Sequence, residues 1–205
     1  MVSLSATDPT HARPPELSDP SGSVGRVDIQ QFWTLIEYAR DQVSDPADAD
    51  AVADRASTLL ADRPHAEIIQ AQQALWDLMA VSYAKPLWAA AYVVNGGCSD
   101  DGFDYFRGWL ITQGQATFER VVAAPDELAT LAAIWEAADA GVEMECEGTL
   151  AIASSAHVVA TGEQLPGDSF RIDYPALDPD WDFDFDDEKE IRRRLPRLAG
   201  LYNLN

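Results

Sequence analysis

The sequence predicts an all-α domain of six to eight helices with little or no sheet. Three observations carry that reading. Apolar residues recur at helical spacing through most of the chain, and prolines stand at the start of several of those runs. The one stretch that would also suit a strand finds no partner run elsewhere.

Residues 1–26, MVSLSATDPTHARPPELSDPSGSVGR, are rich in Pro, Ser and Gly and lack periodicity, so they read as a disordered tail. Structure is expected from Asp28, a potential cap with Gln31 three residues on as the return arm of a capping box. Phe32, Leu35, Ile36 and Ala39 give that helix its apolar face. Asp45-Pro46 reads as a cap and a first-turn proline, opening a second helix to about Asp62. Pro64 starts a third, whose apolar face holds Ile68, Ile69, Leu75, Trp76, Leu78 and Met79. Pro86 starts a fourth, PLWAAAYVV, apolar nearly all round and therefore expected to be buried.

The next helix should run from about Ser99 to about Ala124, with a weak point at Gly114. Pro125-Asp126-Glu127 starts another that Gly141 ends. VEMECEGTLAIASSAHVVATGEQLP reads as one more, closed by Gly162 and Pro166, although Ala-Ile-Ala and Val-Val would fit strands as well. The core domain is thus expected over residues 27–166, and residues 167–205 form an acidic-aromatic extension. Within that extension DPDWDFDFDDEKE alternates aspartate with Trp181, Phe183 and Phe185. A short helix from about Asp186 to Leu195 should follow, acidic in its first turn and basic in its last, which suits the helix dipole.

With 35 acidic and 14 basic residues among 205, the net charge is −21, and 47 % of residues are hydrophobic, enough for a real core. Such a charge repels nucleic acid and anionic lipid at long range. The partner it allows is a protein with a basic or apolar surface, or a cation. No apolar run approaches the roughly 18 residues of a membrane span. The amino terminus shows no basic start followed by an apolar block, so no signal peptide is read and the cytoplasm is the expected location. Cys98 and Cys146 form no CxxC pair and call for neither disulfide nor zinc. No cofactor is expected.

The densest stretch is NGGCSDDGFDYFRGWLI, Asn95 to Ile111. Asn95, Gly96 and Gly97 suit a helix end. Ser99 suits an N-cap, and Asp100 and Asp101 sit where free N–H groups favour negative charge. At about 100° per residue, Phe103, Phe106 and Leu110 share one side of the new helix and Tyr105 and Trp109 a second. Asp100, Asp104, Arg107 and Ile111 share a third. That polar stripe, with Asp104 and Arg107 spaced to pair, faces solvent or lines a site.

FWTLIEYAR (Phe32 to Arg40), LWAAAYVVNGGCSDDGFDYFRGWLI (Leu87 to Ile111) and AHVVATGEQLP together resemble a bacterial domain-of-unknown-function family, numbered 4240 and common in actinobacteria. The resemblance covers residues 28–166 or so. It implies a small, mainly helical domain and transfers no catalytic residues.

Two classes of function remain. The preferred one is a protein-interaction or regulatory module, with Trp181, Phe183 and Phe185 as candidate docking residues and Asp100, Asp104 and Arg107 as candidate binding residues. Acidic-aromatic alternation suits docking on a basic, apolar groove, and it equally suits rings strapped across the chain's own helices. The alternative is a Mg²⁺-dependent enzyme acting on a phosphorylated or diphosphate substrate. Asp100, Asp101 and Asp104 spell DDxxD, as in all-helical isoprenoid synthases, yet no second metal motif accompanies it. Glu136 and Asp139 give one ExxD pair of the kind nucleotide pyrophosphohydrolases use, without an ExxE partner. His11, His65 and His157 stand in no catalytic motif. Cys98 beside two aspartates should be a blunted nucleophile.

Overall fold

Residues 29–204 are described by a computed structural model. The expected tail, the Asp28 cap and His11 lie outside the described residues. Within them the chain is helical and carries no strand.

Helices α1 (Ile29–Arg40), α2 (Ala49–Ala61) and α3 (His65–Val81) form one side of the domain, and α8 (Ile152–Thr161) lies against α2 and α3. The expected apolar face of α1 is the buried one: Phe32, Leu35, Ile36 and Ala39, joined by Trp33. Helix α4 (Lys85–Asn95) is buried along most of its length, as its composition requires. It ends at Gly96, whose left-handed backbone returns the Gly97 N–H to the Tyr92 carbonyl.

Helix α5 (Asp100–Thr112) runs through the middle. Every residue from Phe106 to Thr112 is buried, Arg107 included. Gly114 then breaks the chain where the sequence placed a weak point, and α6 (Gln115–Ala123) begins after it. The break has a specific cause. Gly114 has φ +90°, and a Cβ there would run into the Glu37 carboxylate, which accepts from the Gln115 N–H at 2.9 Å. A side chain of α1 thus caps α6.

Three sequence expectations are corrected. Asp45-Pro46 does not open α2. The chain closes a turn there, Asp48 N–H to Asp45 carbonyl at 3.2 Å, and Asp48 caps the helix instead by accepting from the Ala51 N–H at 3.0 Å. A proline that can serve a first helical turn serves the second position of a turn equally well.

The stretch from Val142 is also not one helix. Residues 142–146 are not helical, with Cys146 extended, residues Glu147–Ala151 form a 3-10 turn, and only then does α8 begin. This non-helical run needs no strand partner. The Met144 N–H donates to the Asn95 side-chain oxygen at 2.9 Å, and the Cys146 N–H donates to the Tyr105 carbonyl of α5 at 3.0 Å. Thr149 donates its hydroxyl to the Gly108 carbonyl at 3.1 Å. This approach depends on Gly108, since a Cβ there would overlap the Cys146 carbonyl oxygen.

Nor is Pro125 to Gly141 one helix: Pro125 opens a 3-10 turn (Pro125–Thr130), Leu131 is extended, and α7 (Ala132–Ala140) follows, closed by Gly141. The expected short carboxy-terminal helix is α9 (Glu188–Arg194), capped by Asp187, and α10 (Pro196–Leu201) extends it. Ile191, Leu195 and Leu198 from this region are buried in the same core as α1 to α8.

Candidate functional site

The polar stripe of α5 divides. Asp100 and Asp101 are exposed in the first turn, where the Ser99 hydroxyl accepts from the Gly102 N–H at 3.1 Å and caps the helix. Asp104 and Arg107 are brought together as an ion pair. The Arg107 side chain is 0 % exposed, while Asp104 keeps 31 % of its side chain in solvent. The stripe therefore does not project three groups into one open site.

Arg107 is instead a tie between elements. Its Nη1 donates to the Met79 carbonyl at the end of α3, its Nη2 to Asp104, and its Nε to the Phe103 carbonyl at 3.3 Å. The guanidinium carbon lies 4.6 Å from the Phe103 ring centroid, 5.2 Å from that of Tyr83 and 5.4 Å from that of Tyr174. Tyr83 and Tyr174 stack at 4.3 Å. Burial pushes the Tyr174 hydroxyl up from its ordinary pKa, against the lowering pull of Arg107.

Tyr174 belongs to the extension, which continues as a strap. Phe170 stacks on Trp76, Arg171 exchanges hydrogen bonds with the Gln73 side chain, and Asp182 pairs with Lys85 at 2.5 Å. Trp181, Phe183 and Phe185 alternate half-buried with exposed aspartates, and all three pack against the core. Arg194 lies over Trp181 and Phe183, and Phe185 meets Tyr92 edge-on. The structure thus uses these candidate docking rings inside the molecule.

Cys98 is pushed up to about 12, by burial first and then by Glu145. The two neighbouring aspartates are not the main reason: Asp100 is a minor contributor. Cys146 is pushed up to about 11 by burial. Neither thiol is an activated nucleophile. Among the described residues no group of three or more His, Cys, Asp or Glu side chains converges as a metal-binding set, so Asp100, Asp101 and Asp104 are not gathered as one.

A concave site does exist, at a place the sequence reading did not single out. A groove of about 320 Å³ lies between α7, the start of α2 and residues 142–145. Trp109, Met144, Ala133 and Ala137 supply apolar lining, and all four are buried or half-buried. Asp50, Glu136, Glu143 and Glu145 line it as exposed carboxylates, and no lysine or arginine does. None of the four makes an ion pair among the described residues, unlike Glu127 and Glu190, which do. Burial and the nearby Glu143 raise the Glu145 carboxyl above its ordinary value.

One edge of the groove is main chain. Met144 and Cys146 turn their N–H groups inward to Asn95 and Tyr105. The N–H groups of Glu143 and Glu145 alternate with these along the chain. Neither of those N–H groups has a protein partner among the described residues. Glu136 was the one groove residue visible as a candidate beforehand, in a different role. Glu143 and Glu145 carried a signal in the alternation VEMEC, which a helical reading hides.

Fold and site together define an all-helical domain with an acidic, apolar-lined groove and a carboxy-terminal strap. The chain belongs to the family described as Protein of unknown function (DUF4240), which matches residues 27–158. No curated protein matches it, and no solved structure does.

Proposed function

We propose that the protein is an interaction module that binds a basic, partly apolar segment of a protein partner in the groove between α7 and residues 142–145. The observation that carries this reading is the groove's composition: an apolar lining among four carboxylates that no lysine or arginine of the lining neutralises. A net charge of −21 draws a basic partner from a distance. An apolar side chain of that partner would displace water from Trp109 and Met144, and its lysines or arginines would meet Glu136, Glu143 and Glu145. The free edge at Glu143 and Glu145 offers main-chain hydrogen bonds to an extended segment.

Selection from a displayed library of random peptides tests the proposal. The peptides recovered should place Lys or Arg beside an aromatic or aliphatic residue. They should bind the Glu143→Lys/Glu145→Lys double variant at least tenfold more weakly, a change of about 1.4 kcal/mol. Recovery of acidic or purely apolar peptides, or equal binding to the variant, would reject it.

A further inference from the structure

His65 and His157 stand 92 residues apart in the chain and meet ring to ring. Their Nε2 atoms are 2.6 Å apart and their ring centroids 4.7 Å. His157 is buried on α8, whereas His65 is the exposed first residue of α3.

The hydrogen bonds of His157 fix where its proton sits. Its Nδ1 lies 2.9 Å from the Glu163 main-chain oxygen and 3.2 Å from the Thr161 hydroxyl oxygen. A carbonyl oxygen can only accept. The Thr161 hydroxyl has its one proton engaged with the His157 carbonyl at 2.8 Å, so it too accepts from the ring. Nδ1 therefore carries the proton, and the neutral ring aims an Nε2 lone pair at His65. An imidazole whose N–H is anchored on a carbonyl while its other nitrogen points to a shared position is arranged as metal-binding histidines are. Among the described residues the Nδ1 of His65 has no hydrogen-bond partner, so that ring can keep its proton on Nδ1 and offer its Nε2 lone pair as well.

We propose that His65 and His157 form a two-imidazole site for a divalent transition-metal ion, which takes the place of the proton the rings otherwise share. Nitrogens bound to one tetrahedral ion at about 2.0–2.1 Å stand about 3.3–3.4 Å apart. The rings must part by less than about 1 Å to admit it. His65 can supply that movement, because it is exposed in the first turn of its helix. Water completes the coordination on the open side. Imidazole ligands select borderline transition metals over Mg²⁺ and Ca²⁺, which want oxygen. With two protein ligands the site is a clamp between α3 and α8, not a catalytic centre. It is separate from the groove, so either proposal can fail alone.

The test is thermal denaturation of the full chain with Ni²⁺ or Mg²⁺, in the wild type and in His65→Ala. Ni²⁺ should raise the melting temperature of the wild type and leave that of His65→Ala unmoved, since an ion that binds only the folded state stabilises it. Mg²⁺ should act alike on both proteins. Titration calorimetry should find one Ni²⁺ site in the wild type that His65→Ala lacks. Should the alanine variant fold poorly, His65→Gln replaces it. An equal Ni²⁺ shift in both proteins would mean adventitious binding to the acidic surface, and no shift in the wild type would mean no site. Either result overturns the proposal.

Discussion

Tyr174 covers the Arg107 guanidinium, with 5.4 Å between ring centroid and guanidinium carbon, and so ties the carboxy-terminal strap to the central helix. Arg107 is fully buried, and its donors reach Met79, Phe103 and Asp104. Arg107→Ala strands those acceptors and opens a void. It should cost about 3–5 kcal/mol in urea denaturation. Asp104→Ala should cost less, about 1.5–3 kcal/mol, because Asp104 keeps contact with water.

Gly108 should tolerate no side chain. In Gly108→Ala the new methyl meets the Cys146 carbonyl, and main chain yields less easily than a side-chain tip. A loss of about 1–3 kcal/mol is expected. Hydrogen exchange should show the amides of Met144 and Cys146 losing protection. At Gly102 the nearest atom is the Glu145 carboxylate tip at 3.3 Å, which can swing away, so Gly102→Ala should be close to neutral.

Ser99 caps α5 through the Gly102 N–H. Ser99→Ala should lower stability by about 0.5–2 kcal/mol. Ser99→Asp should hold it, because a carboxylate accepts the same bond and favours the helix amino end. Equal losses in the two variants would show that the hydroxyl has another task.

Glu190 governs part of the acid response. Hydrogen bonds from Arg193 and Arg194 lower its carboxyl from 4.5 to about 2. A depressed acid stabilises the fold above its ordinary value, and that stability is lost as pH falls towards the lowered one. Glu190→Gln should therefore lower the melting temperature at neutral pH. Its gap from the wild type should close between pH 4.5 and about 2. Glu145 has the opposite sign. Its raised carboxyl makes the ionised form a cost of folding, so Glu145→Gln should raise the melting temperature at pH above the ordinary carboxylate range.

Local chemistry in the sequence was sufficient for the helices that cap and stop themselves. Ser99, Gly141 and Gly162 act at or beside their own positions, where backbone conformation and one nearby hydrogen bond decide the outcome. The buried faces of α1, α3 and α4 were legible for the same reason, since a helix repeats its pattern within a few residues. The alternation of Trp181, Phe183 and Phe185 with aspartate was legible as one face in and one face out. What lay under that face was not.

Tertiary structure decided the rest. Residues 142–146 stay out of helix because Asn95 and Tyr105, about 40–50 positions earlier, take the N–H groups of Met144 and Cys146, and no local pattern encodes such distant acceptors. The burial of Arg107 depends on Met79, Tyr83 and Tyr174 arriving from separate parts of the chain. The groove and the histidine pair are likewise products of assembly. Periodicity reports which face of a helix is buried, but the neighbours that meet a polar side chain are chosen only when the helices pack, and those neighbours set its charge, its hydrogen bonds and its chemistry.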